Sequence, residues 1–324
     1  MTSTPQAPIR SGFHAKSTAM EVIEGVDLTG KTAIVTGGYS GIGIETVRAL
    51  ASAGAEVIVP ARRPEAAHEA LEHLPGSIGV AEMDLADIAS VNRFAESFLA
   101  SGKPLHLLIN NAGIMACPEG RVGPGWERQF GVNHMGHFAL TKALLPALKK
   151  ADGARIIALS STAHIRGDVL WDDPHFRKTP YDKWRAYAQA KSANALFARQ
   201  ADKLWQGNNI RAFAVHPGGI FTPLQRHLAD EELVAMGWKN ADGTIPEPVQ
   251  ALFKTPEQGA STTVWAATSQ QLNGMGGVYC ENGDIARAAT PDSSPWLDAR
   301  EWIQDDAKAE RLWEMSEAML AEVA

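Results

Sequence analysis

With 324 residues, 45% of them hydrophobic and 21% charged, the chain has the composition of an ordinary globular protein, long enough for one large α/β domain or two small ones. Its formal net charge of -7 argues against nucleic acid or an anionic membrane as partner, since both call for basic patches. Two cysteines, Cys117 and Cys280, make neither a disulfide framework nor a metal cluster and fit a reducing compartment.

Residues 1–28 read as a polar extension containing Pro and Ser. They lack the continuous apolar run of a signal peptide or an anchor, so a cytoplasmic location and no membrane partner are expected. Thr29-Gly30-Lys31 then turns into a first strand over 32–36. A glycine-bearing stretch follows, then a helix over 42–53 with Gly54 as its stop. The alternation repeats: strand 56–60, helix 64–74, strand 78–82, helix 88–101, strand 105–109. Residues 125–149 read as helical for most of their length. Strand 155–160, helix 187–206 and strand 210–215 come next, and 302–323 reads as an amphipathic helix. Short apolar strands separated by helix-length segments predict a parallel sheet covered on both faces. Right-handed crossovers make that sheet a single doubly wound, Rossmann-type α/β domain spanning 29–324. Two stretches, 162–186 and 221–253, are too long for ordinary connections. Both follow strand C-termini and are expected to be binding loops at the ligand edge.

The segment Gly37-Gly38-Tyr39-Ser40-Gly41-Ile42-Gly43 lies between the first strand and the first helix. Missing side chains let the backbone turn tightly and approach a pyrophosphate, and the helix start supplies free N–H groups. The second strand ends at Pro60-Ala61-Arg62-Arg63. An acidic residue in the place of Ala61 would bind a ribose 2′-hydroxyl and favour NAD. Two arginines instead offer a charged fork to a 2′-phosphate, which favours NADP, with Arg62 ahead of Arg63. Asp84 and Leu85 end the third strand and border the place for adenine. Asp84 reads equally well as a helix-start carboxylate. Asn110-Asn111-Ala112-Gly113 ends the fourth strand, where small residues leave room for a ribose and the asparagines can tie strand ends together.

Tyr187 and Lys191 are four apart in a helical segment, which puts them on one face. A phenol is a poor acid/base at neutral pH, with an ordinary pKa near ~10, and a fixed ammonium beside it is expected to lower that value. Ser160-Ser161 ends the preceding strand, where a hydroxyl can stabilise charge developing on a substrate oxygen. Asn133 can hold a water or a backbone group on the way to Lys191.

Together, Thr36-Gly37-x-x-x-Gly41-Ile42-Gly43, Asn110-Asn111-Ala112-Gly113, Asn133, Ser161, Tyr187-x-x-x-Lys191 and Pro217-Gly218 resemble the short-chain dehydrogenases/reductases, in that family's order over about 28–221. The resemblance implies an oxidoreductase that moves hydride between NADP and an alcohol or carbonyl carbon. It implies a tetrad of Asn133, Ser161, Tyr187 and Lys191, with Lys191 also on the nicotinamide ribose. It further implies a nicotinamide lining of Pro217-Gly218-Gly219-Ile220, with Thr222 near the amide or phosphates. Stretches 110–118, 132–138 and 160–164 resemble the retinol-dehydrogenase-like and WW-domain-oxidoreductase-like branch. The family often forms dimers or tetramers, so a homo-oligomer is compatible with it.

An apolar pocket for a ring or hydrocarbon is expected from Met115, Phe221 and Leu224 beside Ser161, with Trp171, Phe176, Trp184 and Trp238 as further wall or minor-core residues. His134, His137, His164 and His216 lack metal-ligand spacing and read as packing residues. Cys117 reads as an apolar wall residue rather than a nucleophile. Two other functions use the same residues. One is an epimerase or an imine or enone reductase, and the other a non-catalytic dinucleotide sensor.

Overall fold

The computed structural model describes residues 4–294 and 296–323, so the first three residues of the expected extension lie outside it. Strand β1 (Thr32–Val35) is buried along its whole length, as an unbroken apolar run inside a parallel sheet must be. Before it stands the short helix α1 (Ala19–Ile23). After it come α2 (Ile42–Ser52), β2 (Glu56–Ala61), α3 (Pro64–Leu71), β3 (Ser77–Glu82), α4 (Ile88–Ala100) and β4 (Leu107–Asn110). These match the expected elements to within a few residues at each end.

The next segment is helical for most of its length, as expected, but in several pieces and behind a short ribbon. Residues 125–149 are not one helix. Arg121–Val122 (β5) and Trp126–Glu127 (β6) form a two-stranded ribbon around Gly123 and Gly125, both with left-handed backbone. The helix starts only at α5 (Arg128–Phe130), where the Glu127 carboxylate caps the Gln129 and Phe130 N–H groups. A π-helical turn, Gly131–Met135, carries the chain into α6 (Gly136–Ala143) and α7 (Leu145–Lys150).

Strand β7 (Ala154–Leu159) leads through a 3-10 turn, Thr162–Arg166, and an irregular stretch to α8 (Lys183–Trp205). That helix begins a turn earlier than expected because the Asp182 carboxylate accepts from the Trp184 and Arg185 N–H groups. Then follow β8 (Ile210–His216), the short helices α9 (Asp230–Ala235) and α10 (Glu247–Leu252), α11 (Pro256–Thr268), β9 (Val278–Glu281), β10 (Asp284–Ile285) and α12 (Asp306–Ala321). Trp302 falls in a 3-10 turn ahead of α12 rather than inside it.

The sheet order is β10-β9-β8-β7-β4-β1-β2-β3, parallel except where β10 runs against β9. Strand order reverses between β1 and β4, which opens a crevice at their carboxyl ends. One face is packed by α1, α2 and α11 through Val47, Leu50, Val264 and Trp265. The other is packed by α4, α6, α8 and α12 through Phe94, Phe138, Phe197 and Trp313.

Residues 4–14 lie along the β9–β10 edge. The Gln6 side chain donates to Tyr279 O and Ala286 O, each at 2.7 Å, and accepts from Tyr279 N at 2.9 Å, so one amide does the work of a strand residue. Among the described residues, no helix is long and apolar enough to cross a membrane.

Candidate active site

Strand ends and helix starts bring the expected residues to one edge of the sheet. At its nucleotide end, Gly37 and Gly41 take the left-handed backbone (φ 63° and 55°). A Cβ on Gly37 would stand 2.9 Å from Ala112 Cα, and one on Gly43 would stand 2.2 Å from the Gly37 oxygen. Neither glycine can be replaced without moving backbone. Helix α2 starts at Ile42 without a side-chain cap, so no side chain occupies its first N–H groups, which suits an anion site. Tyr39 packs half-buried on the core, Ser40 is exposed, and Ser40 O accepts from Gly43 N at 3.1 Å.

Thr36 ties this turn to β4. Its hydroxyl accepts from the Asn111 and Ala112 N–H groups, both at 2.9 Å, and the Asn111 amide donates to Thr36 O at 2.8 Å. Arg62 and Arg63 stand exposed after β2, with no hydrogen bond or ion pair from either guanidinium among the described residues. Asp84 accepts from Ala86 N at 2.9 Å, which occupies one oxygen in a turn of its own. Leu85 is buried and its carbonyl presses on Gly136.

At the other end, Gly218 is left-handed (φ 108°), and Pro217 and Gly218 follow β8 directly. Ile220 and Ile42 meet over Gly259 of α11. Thr222 forms a capping box with Gln225 and lies against Gly41, 3.4 Å from where a Cβ there would stand. The loop after β8 thereby closes on the glycine turn.

Between these ends lie the titratable groups. Helix α8 presents Tyr187 and Lys191 one turn apart, 4% and 5% exposed. Lys191 Nζ donates to Leu159 O at 2.9 Å and sits 5.6 Å from the Tyr187 ring centre. The Asn133 amide, fully buried in the π-helical turn, accepts from Ile114 N and donates to Ile114 O, each at 2.9 Å. Of the two roles expected for it, the structure supplies the backbone one. Gly113 lets Asn133 and Lys191 converge: a Cβ on it would stand 3.3 Å from Asn133 Oδ1 and 3.6 Å from Lys191 Nζ. Ser160 Oγ donates to Lys191 O at 2.7 Å, while Ser161 Oγ accepts from Ala163 N at 3.1 Å and lies against the Tyr187 phenol.

Electrostatics correct one expectation. Burial pushes the Tyr187 phenol up to about 12, and the Ser161 hydroxyl pulls the other way. Burial also brings Lys191 down to about 8. Desolvation, not the neighbouring ammonium, therefore dominates the phenol.

The apolar wall differs in part from expectation. Met115, Ala116, Ala163 and Tyr187 pack with Trp184, Leu224 and Leu228. Phe221 is 38% exposed and leans on Phe253 with centroids 4.7 Å apart and rings tilted by 34°, outside that cluster. Trp238 packs on Phe253, Phe176 on Tyr181, and Trp171 on the main core. Glu232 of α9 holds the loop down through Lys183 Nζ at 2.6 Å and Trp184 Nε1 at 3.0 Å. Cys117 is buried, and burial raises its thiol. Among the described residues no cluster of metal-ligand type exists.

The sequence reading missed two contributors, Lys254 and Tyr279, and gave a third, His137, a packing role alone. His137 bridges Thr36 Oγ1 (2.8 Å) and Asn133 O (2.9 Å). Lys254 packs its stem against Gly218, with its buried ammonium lacking a hydrogen-bond partner among the described residues. Tyr279 reaches the carbonyl of Ser161. Lys254 and Tyr279 lie far from the motifs in sequence, whereas the His137 spacing from Asn133 (i, i+4) was visible there.

A family model described as "short chain dehydrogenase" matches residues 31–233. A "Probable oxidoreductase" of Streptomyces lividans is 45% identical over 296 residues, covering 89% of this chain and 97% of that one. "Retinol dehydrogenase 12" of Mus musculus is 38% identical over 296 residues, covering 90% of this chain and 86% of its own. The solved "Pseudomonas aeruginosa RhlG/NADP active-site complex" superposes with a TM-score of 0.61 at 26% identity, over 79% of this chain and 95% of that one. The glycine turn, the strand-end asparagines and the buried Tyr187–Lys191 pair thus stand within a known lineage: the chain belongs to the short-chain dehydrogenase family, as an oxidoreductase of its retinol-dehydrogenase-like branch.

Proposed function

We propose that the protein is a cytoplasmic, NADP-dependent reductase of an apolar or cyclic carbonyl compound, with 29–324 as its catalytic domain and 162–186 and 221–253 as its substrate loops. The observation that carries the reading is the buried Tyr187, packed with Ala163 two residues beyond Ser161 and one helical turn from Lys191, whose ammonium lies beside Gly113. The cofactor fits the residues present: Gly37, Gly41 and Gly43 leave the space that side chains would fill, and Thr222 closes it. Pro217, Gly218 and Ile220 would line the nicotinamide, and Asn111, Ala112 and Gly113 the riboses. Asp84 and Leu85 would border the adenine. The exposed guanidiniums of Arg62 and Arg63 offer a fork for a 2′-phosphate, and the NADP complex of the Pseudomonas aeruginosa relative accords with that choice.

When bound, NADPH supplies a hydride from its nicotinamide to the substrate's carbonyl carbon. The chain's own groups manage the oxygen. Ser161 Oγ–H donates to it as negative charge develops. Tyr187 Oη gives its proton to that oxygen, leaving a phenolate that Lys191 Nζ faces across 5.6 Å to the ring centre. Asn133 clamps Ile114 and so keeps the wall at Gly113 and Met115 in place. A phenol pushed up to about 12 keeps its proton at neutral pH, so it meets a carbonyl in the form that can donate. Met115, Leu224 and Trp184 give the substrate apolar contacts.

Tyr187→Phe tests the reading. It removes the proton and little volume, so turnover of a carbonyl substrate should fall by a factor of about 100 or more while NADPH affinity stays within about twofold. Oxidation of NADPH followed at 340 nm across ketones, aldehydes and quinones reads the first, and quenching of tryptophan fluorescence reads the second. Full turnover in the variant ends the mechanism.

A further inference from the structure

Ser161 sits where β7 gives way to the 3-10 turn Thr162–Arg166, in extended backbone. Its carbonyl has left the sheet ladder and is held by two buried side chains. His164 Nδ1 lies 2.8 Å from it and Tyr279 Oη 3.3 Å. The two rings lean together, with centroids 4.7 Å apart and Tyr279 Oη 3.2 Å from His164 Nδ1. The far side of the imidazole is also engaged. His164 Nε2 accepts from Arg300 N at 3.4 Å, and His164 O accepts from Trp302 Nε1 at 3.1 Å.

One neutral tautomer satisfies all of these contacts. With its proton on Nδ1 the ring donates to Ser161 O, and bare Nε2 accepts from Arg300. Burial holds the ring neutral, at about 4, and keeps the Tyr279 phenol protonated. His164 and Tyr279 are 1% and 2% exposed. Burying two polar rings is costly unless they are bonded, and here their bonds converge on Ser161, whose hydroxyl pulls on the Tyr187 phenol. Tyr279, Arg300 and Trp302 all lie beyond residues 31–233, the span that the family model matches.

We propose that His164 and Tyr279 are positioning residues for the Ser161 hydroxyl, braced by Arg300 and Trp302, so that the C-terminal part of the chain sets the place of the group that polarises the substrate oxygen. The role assigned to Ser161 in carbonyl reduction is the reading on which this rests.

The test uses the full chain. A crystal structure of His164→Leu beside the wild type needs no substrate: Ser161 Oγ should shift by about 1 Å, a displacement large enough to cost up to about a hundredfold in rate. With NADPH and a carbonyl that the wild type reduces, His164→Leu should lower kcat about tenfold and leave KM and NADPH affinity within about twofold. His164→Asn, whose amide nitrogen can stand where Nδ1 does, should recover most of kcat. Tyr279→Phe, the milder change, should lower kcat about threefold. In a Ser161→Ala background His164→Leu should reduce kcat by no more than about twofold, because the hydroxyl it positions is gone. An unmoved Oγ, or equal losses in both backgrounds, overturns the proposal. A shifted Oγ in a protein that reduces no carbonyl leaves the positioning intact and removes the reading of the reaction.

Discussion

Around Gly37–Gly43 the chain deletes side chains and leaves charge outside, while around Ser161, Tyr187 and Lys191 it buries polar groups and bonds them. Arg62 and Arg63 are exposed, whereas Tyr187, Lys191 and Asn133 are all 5% exposed or less. The difference suits the two tasks proposed for these ends. An anion is held by donors that backbone geometry has already aligned, at a helix start and at free guanidiniums, so space is the main requirement. Proton transfer needs groups held in place away from bulk water, and burial does this while shifting their acidity: Tyr187 moves up to about 12 and Lys191 down to about 8. One end is therefore vulnerable to added atoms and the other to lost hydrogen bonds.

The sharpest way to break this contrast is Gly43→Ala. Its Cβ would stand 2.2 Å from the Gly37 oxygen and 2.7 Å from Asn111 Nδ2, so the turn itself must move. NADPH affinity, read by fluorescence quenching, should fall about a hundredfold, with a melting temperature lower by several degrees, as overpacking costs about 1–3 kcal/mol. Retained affinity would mean that the turn does not form the cradle. A smaller effect is expected at the exposed charge. Arg62→Ala should weaken NADPH about tenfold, the scale of a charge-assisted hydrogen bond, and leave NADH unchanged. Equal loss with both cofactors would place Arg62 away from the 2′-phosphate.

The smallest expected effect sharpens the other end. His137 and His164 are buried and neutral, each lowered to about 4, chiefly by burial. Unfolded histidine titrates near ~6.5, so between these values the unfolded chain binds more protons than the folded one. Their contribution to stability is complete above about pH 6.5 and drains away as pH falls through about 4. Melting temperature should decline over that window, and His164→Asn should flatten the slope by about one proton. An unchanged slope would show that His164 does not titrate on unfolding.

Much of this was legible from local chemistry. Strand and helix periods located β1 to β4, β7 and β8 because a parallel sheet buries short apolar runs on both faces. The glycines and the Tyr187–Lys191 spacing stood out because each obeys a local rule of backbone or helix geometry. Helix α11 did not stand out, because Ser261, Thr262 and Thr263 are fully buried in it and erase any amphipathic stripe. Nor did β9, which buries Glu281 among its four residues.

By itself the sequence determined the doubly wound plan, the glycine turn at the first helix and the placing of Tyr187 and Lys191 on one helix face, since strand and helix periods, the turn and the i, i+4 spacing are each read within a few residues of chain. Only the tertiary structure decided that Asn133 grips Ile114, that Phe221 faces outward onto Phe253, and that His164 and Tyr279 hold Ser161 from 3 and 118 residues away. All but the His164 contact join segments that no local rule relates, and burial, a property of the packed whole, shifts His137, His164, Tyr187, Lys191 and Tyr279 from their ordinary values.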